Sequence, residues 1–189
     1  MKNKTHKAVI MDRDGTIFKE RHYLSDPSNM EVFKGVFPAL KRLKSLGWKL
    51  IIGTNQSGIG RGYFALSDMQ KVHAAFLRLC RKNKLKIDEI YFCPHHPQAG
   101  CKCRKPEIGM LLKAKRKFNL DLPRCVVIGD KVSDVEWGER AGTRTILVLT
   151  GYGRKHKLLL KRPASYIART FADAAQWILN KDEKENYDE

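Results

Sequence analysis

The segment Ala8-Val9-Ile10-Met11-Asp12-Arg13-Asp14-Gly15-Thr16 organises the rest of the chain. Its short apolar run reads as a buried strand that stops at two aspartates one residue apart. Residues i and i+2 of an extended segment point the same way, so Asp12 and Asp14 can face one site. Gly15 permits a sharp turn without a side-chain penalty. Carboxylates at the carboxyl end of a buried strand stand where open α/β sheets bind their ligands. One can serve as nucleophile and the other as general acid and base, with a metal ion offsetting their repulsion. Taken alone, the same residues also describe an Asp-Gly turn with solvated acids, a common turn pairing. The later chain separates the two readings.

Working outward, residues 18–32 contain Pro27-Ser28-Asn29, which interrupts any helical period, and read as a small flap or hairpin beside the aspartates. Glu20, Arg21, His22 and Tyr23 are its candidates for touching substrate, although an ordinary surface turn accounts for each equally well. Val36, Leu40 and Leu43 recur at helical spacing, with Pro38 in the first turn and Gly47 at the end. Residues 48–53 form the next strand, which runs into Thr54-Asn55-Gln56-Ser57-Gly58-Ile59-Gly60-Arg61-Gly62. Such a loop offers hydroxyl and backbone N–H donors to a phosphate, though glycines there are also plain turn formers. Ser67 and Gln70 match a capping box opening a helix to about Lys82, with Val72, Ala75, Phe76 and Leu79 inward.

Residues 87–92 read as a third strand, and Pro106 as the start of a helix carrying Met110, Leu111, Ala114 and Phe118. A fourth strand over 124–128 ends in Gly129-Asp130-Lys131, with Asp134 beyond it at helical spacing. Asp130, again an acid at a strand end, can complete a magnesium site with Asp12. A helix stopped by Gly142, a fifth strand over 145–149, an edge strand over 165–168 and an amphipathic helix over 171–179 follow. Strands alternating with helices predict a three-layer, Rossmann-like α/β fold, its mainly parallel sheet covered on both faces. Residues 1–180 read as one domain and 181–189 as a charged, frayed tail.

Five cysteines are unevenly spread. Cys80 and Cys125 fall within a helix and a strand, where a thiol packs as a small hydrophobe. Cys93, Cys101 and Cys103 share one loop with His95 and His96. Three thiols and one of these histidines match a tetrahedral structural zinc site, while a redox-active dithiol is the competing reading. A zinc ligand at Cys103 would hold the backbone of the adjacent Arg104-Lys105 rigidly, as a phosphate clamp requires; a surface pair is the plain alternative.

The 37 Lys and Arg against 20 Asp and Glu give a net charge of +17, a field that attracts phosphorylated substrates, nucleic acids and anionic surfaces alike. The cations are scattered along helices, and aromatics are only 9% of the residues, which argues against a stacking surface for single strands. No apolar run reaches the length of a membrane span, and the basic amino terminus leads straight into the first strand without a signal-peptide core. A cytoplasmic location is therefore expected.

In chain order the strand ends carry Asp12 and Asp14, then Thr54, Lys105 and Asp130, which resembles the four-motif order of the haloacid dehalogenase-like phosphatases. The C-P-H…C-x-C-R-K-P loop resembles the capless branch that includes the heptose bisphosphate and histidinol-phosphate phosphatases. Ser57, Arg61-Gly62 and Lys131 are more similar to the heptose side of that branch. The resemblance implies a magnesium-dependent phosphate monoester hydrolase with Asp12 as nucleophile, Asp14 as general acid and base, and Thr54 and Lys105 stabilising the phosphoryl group. Magnesium would sit on Asp12, Asp130 and the backbone carbonyl of Asp14, and zinc on Cys93, Cys101, Cys103 and, by the family spacing, His95. Arg13, the flap residues 20–23, Asn55, Gln56, Ser57, Arg104 and Lys131 would face a small phosphorylated sugar. The implied reaction takes heptose 1,7-bisphosphate to the 1-phosphate in nucleotide-activated heptose biosynthesis. A monomer without nucleic-acid or membrane partners is expected, and the basic stretch 154–162 lies outside the resemblance.

Overall fold

The computed structural model describes residues 5–187, the last four of them as helical backbone only. Its strands are β1 (Ala8–Met11), β2 (Lys49–Asn55), β3 (Glu89–Cys93), β4 (Val126–Gly129), β5 (Arg144–Val148) and β6 (Tyr166–Ala168). They form one sheet in the order β3-β2-β1-β4-β5-β6, and every neighbouring pair is parallel. Its helices are α1 (Val36–Ser45), α2 (Ser57–Gly60), α3 (Leu66–Lys82), α4 (Gly109–Phe118), α5 (Val132–Ala141), α6 (Gly153–Lys157) and α7 (Phe171–Tyr187).

Alternation within each strand splits the core in two. Val9, Met11, Leu50, Ile52, Val126 and Ile128 pack with α1, α3 and α7. Ala8, Ile10, Ile51 and Val127 pack with Met110, Leu111 and Ala114 of α4 and Trp137 of α5. A sheet buried on both faces needs such near-continuous apolar strands. The strand order reverses between β1 and β4, and ligands of doubly wound sheets bind at that crevice. Met11 is in register with Ile52 of β2 and Ile128 of β4, so Asp12, Thr54 and Asp130 emerge together at the carboxyl end.

Several local expectations are corrected. Thr54 and Asn55 belong to β2 rather than to a loop, because β3 pairs with them. The helix expected from Pro106 starts at Gly109: Glu107 N–H bonds Arg104 O at 2.8 Å and Gly109 N–H bonds Lys102 O at 3.0 Å, closing turns instead. Ser67 and Gln70 do not cap α3; the Asp68 carboxylate accepts from Ala65 N–H at 3.1 Å, two residues before the expected frame. The inward face of α3 is Met69, Val72, Phe76 and Cys80, with Ala75 and Leu79 only half-buried. Cys125 precedes β4, at the end of a 3-10 turn over Leu122–Arg124.

The flap is held by antiparallel pairing of Phe18 with Val32 and by Lys19 N–H on Glu31 O at 2.8 Å. Helix α7 continues past Lys181, where a tail was expected. Its Asp182 is buried and pairs with Lys7 at 2.5 Å, while the Lys7 ammonium lies 4.9 Å over the Trp48 ring. The C-terminal helix is thereby fastened to the segment entering β1.

Candidate active site

The acidic side chains gather where β1 and β4 end. Asp12 follows β1, Asp130 follows β4, and Asp134 comes from the first turn of α5. All three are buried, and one carboxylate oxygen from each lies within 4.8 Å of the others. Lys105, also buried, bridges two of them, with Nζ 2.5 Å from Asp12 Oδ1 and 2.6 Å from Asp134 Oδ1. Burial alone would lower the Lys105 pKa, but the Asp12 and Asp134 charges outweigh it and raise the ammonium above the ordinary lysine range.

Asp130 behaves oppositely. Burial and then the Asp12 charge push its carboxyl up to about 8. Its Oδ2 accepts from Tyr152 N–H at 2.8 Å, while Oδ1 is buried with no hydrogen-bond partner. Gly15, at φ +85°, passes so close that a Cβ there would lie 2.1 Å from Asp130 Oδ2. A hard divalent cation fits this site: it would satisfy the orphaned oxygen and offset repulsion among three carboxylates. Asp134, a third acid of this group, was not expected as a possible ligand; its place one turn into a helix after Asp130 was the available signal.

The Asp14 carboxylate is not in that cluster. It is held by Arg13, whose Nε donates to Oδ2 at 3.0 Å and Nη2 to Oδ1 at 3.1 Å, and by Gln56 Nε2 at 2.9 Å. Gln56 Nε2 also reaches Thr54 Oγ1 at 2.9 Å. Beside Asp14 opens a cleft of about 370 Å³ lined by Glu20, His22, Tyr23, Asn55, Gln56, Ser57, Arg104 and Lys131. Asn55 fixes the clamp from behind: its Oδ1 accepts from Lys105 N–H at 3.1 Å and its Nδ2 donates to Lys105 O at 3.2 Å. Arg104 Nη1 is buried without a hydrogen-bond partner.

Two expected cleft residues lie elsewhere. Arg13 is 1% exposed and spends its guanidinium on Asp14, stacked 5.6 Å from the Phe18 ring centre. Arg21 points to solvent and pairs with Glu31 at 2.8 Å. Three cleft residues went unforeseen: Ser133, Tyr152 and His156. Tyr152 places its ring 4.9 Å from the Lys131 ammonium and its hydroxyl 3.3 Å from His22 Nδ1. It follows the fifth strand, so the strand-end rule that found Asp130 would also have found this segment.

The end of β3 and the loop after it gather their own cluster. Cys93 Sγ and Cys101 Sγ are 3.5 Å apart, and Cys101 and Cys103 are 3.6 Å apart. His95 Nδ1 lies 3.5 Å from Cys93 Sγ and 3.3 Å from Cys103 Sγ. Ligands about 2.0–2.3 Å from a tetrahedral zinc would stand roughly 3.5–3.8 Å from one another, so these four side chains fit that ion. His96 turns away, its Nδ1 accepting from Gln98 N–H at 3.3 Å. Between His95 and His96, the geometry selects His95.

No described helix is long and apolar enough to cross a membrane. A model of the HAD-hydrolase-like family matches residues 102–174. The D-glycero-beta-D-manno-heptose-1,7-bisphosphate 7-phosphatase of Helicobacter pylori strain J99 is 39% identical over 177 residues, covering 92% of this chain and 98% of that protein. The enzyme of the same name from Escherichia coli K12 is 35% identical over 185 residues, covering 94% and 90%. Among solved structures, the D,D-heptose 1,7-bisphosphate phosphatase from B. bronchiseptica, complexed with magnesium and phosphate, superposes with a TM-score of 0.88 at 31% identity, covering 93% of this chain and 99% of that one. The chain belongs to the haloacid dehalogenase-like hydrolases, within the family of the D-glycero-D-manno-heptose-1,7-bisphosphate 7-phosphatases.

Proposed function

We propose that this phosphatase removes the 7-phosphate of D-glycero-D-manno-heptose 1,7-bisphosphate in two steps. An Asp12 carboxylate oxygen attacks phosphorus, the bond from phosphorus to the sugar oxygen breaks, and Asp14 gives its proton to that leaving oxygen. Asp14 then takes a proton from the water that attacks the same phosphorus, which breaks the bond to Asp12 and releases phosphate. Thr54 and Lys105 hold the equatorial phosphoryl oxygens, on which the transition-state charge is spread. Magnesium on Asp12, Asp130 and the Asp14 carbonyl, when bound, supplies charge neutralisation for nucleophile and phosphoryl group. Zinc on Cys93, His95, Cys101 and Cys103 is structural in this reading and stiffens the backbone leading into Arg104-Lys105. The reading carries a monomer acting in the cytoplasm on a small phosphorylated sugar, with no nucleic-acid partner.

The observation that supports a bisphosphate is the buried, unpartnered Nη1 of Arg104 in the same cleft as Lys131. Thr54 and Lys105 already serve one phosphoryl group, so these further cations suit a second phosphate on the substrate. The test is phosphate release with magnesium, comparing kcat/KM for heptose 1,7-bisphosphate, histidinol phosphate and a 3′-phosphorylated oligonucleotide. The bisphosphate is expected to lead by at least about a hundredfold, roughly 2.7 kcal/mol of transition-state discrimination. A histidinol phosphate or oligonucleotide lead of that size would overturn the assignment.

A further inference from the structure

One ionisable side chain beside the site has no place in the scheme above. His73, on α3, directs Nε2 at Arg13 Nη1 across 3.0 Å. A guanidinium can only donate, so Nε2 must carry the lone pair and the ring accepts this bond. Burial, and then the Arg13 charge, push the His73 pKa down to about 3, which keeps that lone pair free at neutral pH. The ring is seated edge-on against Phe92, with centroids 6.2 Å apart.

On its far side the same guanidinium forks onto both oxygens of Asp14. Arg13 is 1% exposed, so water cannot replace a lost acceptor cheaply. A planar fork transmits orientation: fixing Nη1 fixes the plane in which Nε and Nη2 meet the carboxylate. Phe18 closes one face of the guanidinium. His73 therefore supplies the in-plane anchor that aromatic packing does not.

We propose that His73 is a positioning residue for proton transfer to the leaving group, acting through Arg13 on the Asp14 carboxyl. The inference rests on Asp14 being the general acid that protonates the departing sugar oxygen. An alkoxide needs that proton as its bond to phosphorus breaks, whereas a dinitrophenolate departs without it. Mispositioned Asp14 should therefore harm the first substrate selectively, while a merely loosened fold would harm both.

The experiment measures kcat/KM on the sugar phosphate and on 2,4-dinitrophenyl phosphate for wild type, His73→Leu, His73→Gln and Asp14→Asn, with Tm recorded for each. His73→Leu should lose roughly tenfold or more on the sugar phosphate and less than about threefold on the aryl ester, since general acid catalysis contributes about 10²–10⁴-fold. His73→Gln, which restores an acceptor, should stay within about threefold of wild type on both. Equal losses on the two substrates in His73→Leu, or no loss on either, would overturn the proposal. Asp14→Asn separates the two levels of the argument: if it also loses equally on both, the general-acid assignment fails, and His73 with it. If Asp14→Asn spares the aryl ester and His73→Leu does not, only the role of His73 fails. Should His73→Leu not fold, Arg13→Lys, which keeps the cation and loses the fork, carries the same comparison.

Discussion

Two clusters of ligating side chains stand at the carboxyl end of one sheet, and they are assembled in opposite ways. The thiol cluster takes Cys93 from the end of β3 and its other three members from the single loop that follows. The acid cluster takes Asp12 from β1 and Asp130 and Asp134 from the β4–α5 junction, and its cation, Lys105, from a third place. Closing a short loop costs little chain entropy, but Cys101 and Cys103 are only partly buried, so little core packing holds their thiols in place without an ion. The acid cluster is positioned by the sheet register itself, and the fold bears the cost of burying its charge. The first should depend on its ion for structure, the second for chemistry.

The largest effect expected on this view is catalytic. Asp12→Asn should lower kcat by about 10⁴-fold or more, as removal of a nucleophile does, while the unfolding midpoint moves only a few degrees. A comparable loss of stability would break the distinction. Next, Cys101→Ser should lower Tm by about 6–12 °C, corresponding to about 3 kcal/mol in a domain of this size. Metal analysis of the same variant should show loss of zinc.

A smaller effect has the opposite sign. Asp130 in the folded, magnesium-free protein titrates at about 8, against an ordinary 3.8. Between those values the folded state binds more protons than the unfolded state, so this group makes stability fall as pH rises. In magnesium-free buffer at pH 8, Asp130→Asn should be the more stable protein by at least about 1 kcal/mol, or 2–4 °C, with the gap narrowing towards pH 4. Unfolding curves across that range check it. Smallest of all, Arg21→Ala should leave kcat/KM within about twofold, because its Glu31 pair is exposed and such pairs contribute about 0–1 kcal/mol.

The same contrast explains what could be read from the chain. Cys93, Cys101, Cys103 and a histidine beside them are legible by spacing because their convergence is local, with His95 rather than His96 singled out by the family resemblance. Asp12, Thr54 and Asp130 are legible because a parallel sheet delivers its strand ends to one edge. Asp134 and Tyr152 lie just past strand ends that the same rule marks, whereas His156 needed the packing of α6 against that edge, which periodicity does not encode. Arg13 misled for a related reason: alternation predicts which way its backbone faces, but a long guanidinium can turn back onto its neighbour Asp14. Pro106 and Ser67 misled because generic helix-start signals yielded to bonds made by Gly109 and Asp68.

The most direct test of the account is a rapid acid quench of the enzyme during turnover of substrate labelled with 32P at the 7-phosphate. The account predicts a transient labelled protein whose label maps to the peptide containing Asp12 and is absent from Asp12→Asn. Release of labelled phosphate with no label passing through the protein would contradict it, because water would then attack the substrate directly and Asp12 would not be the nucleophile.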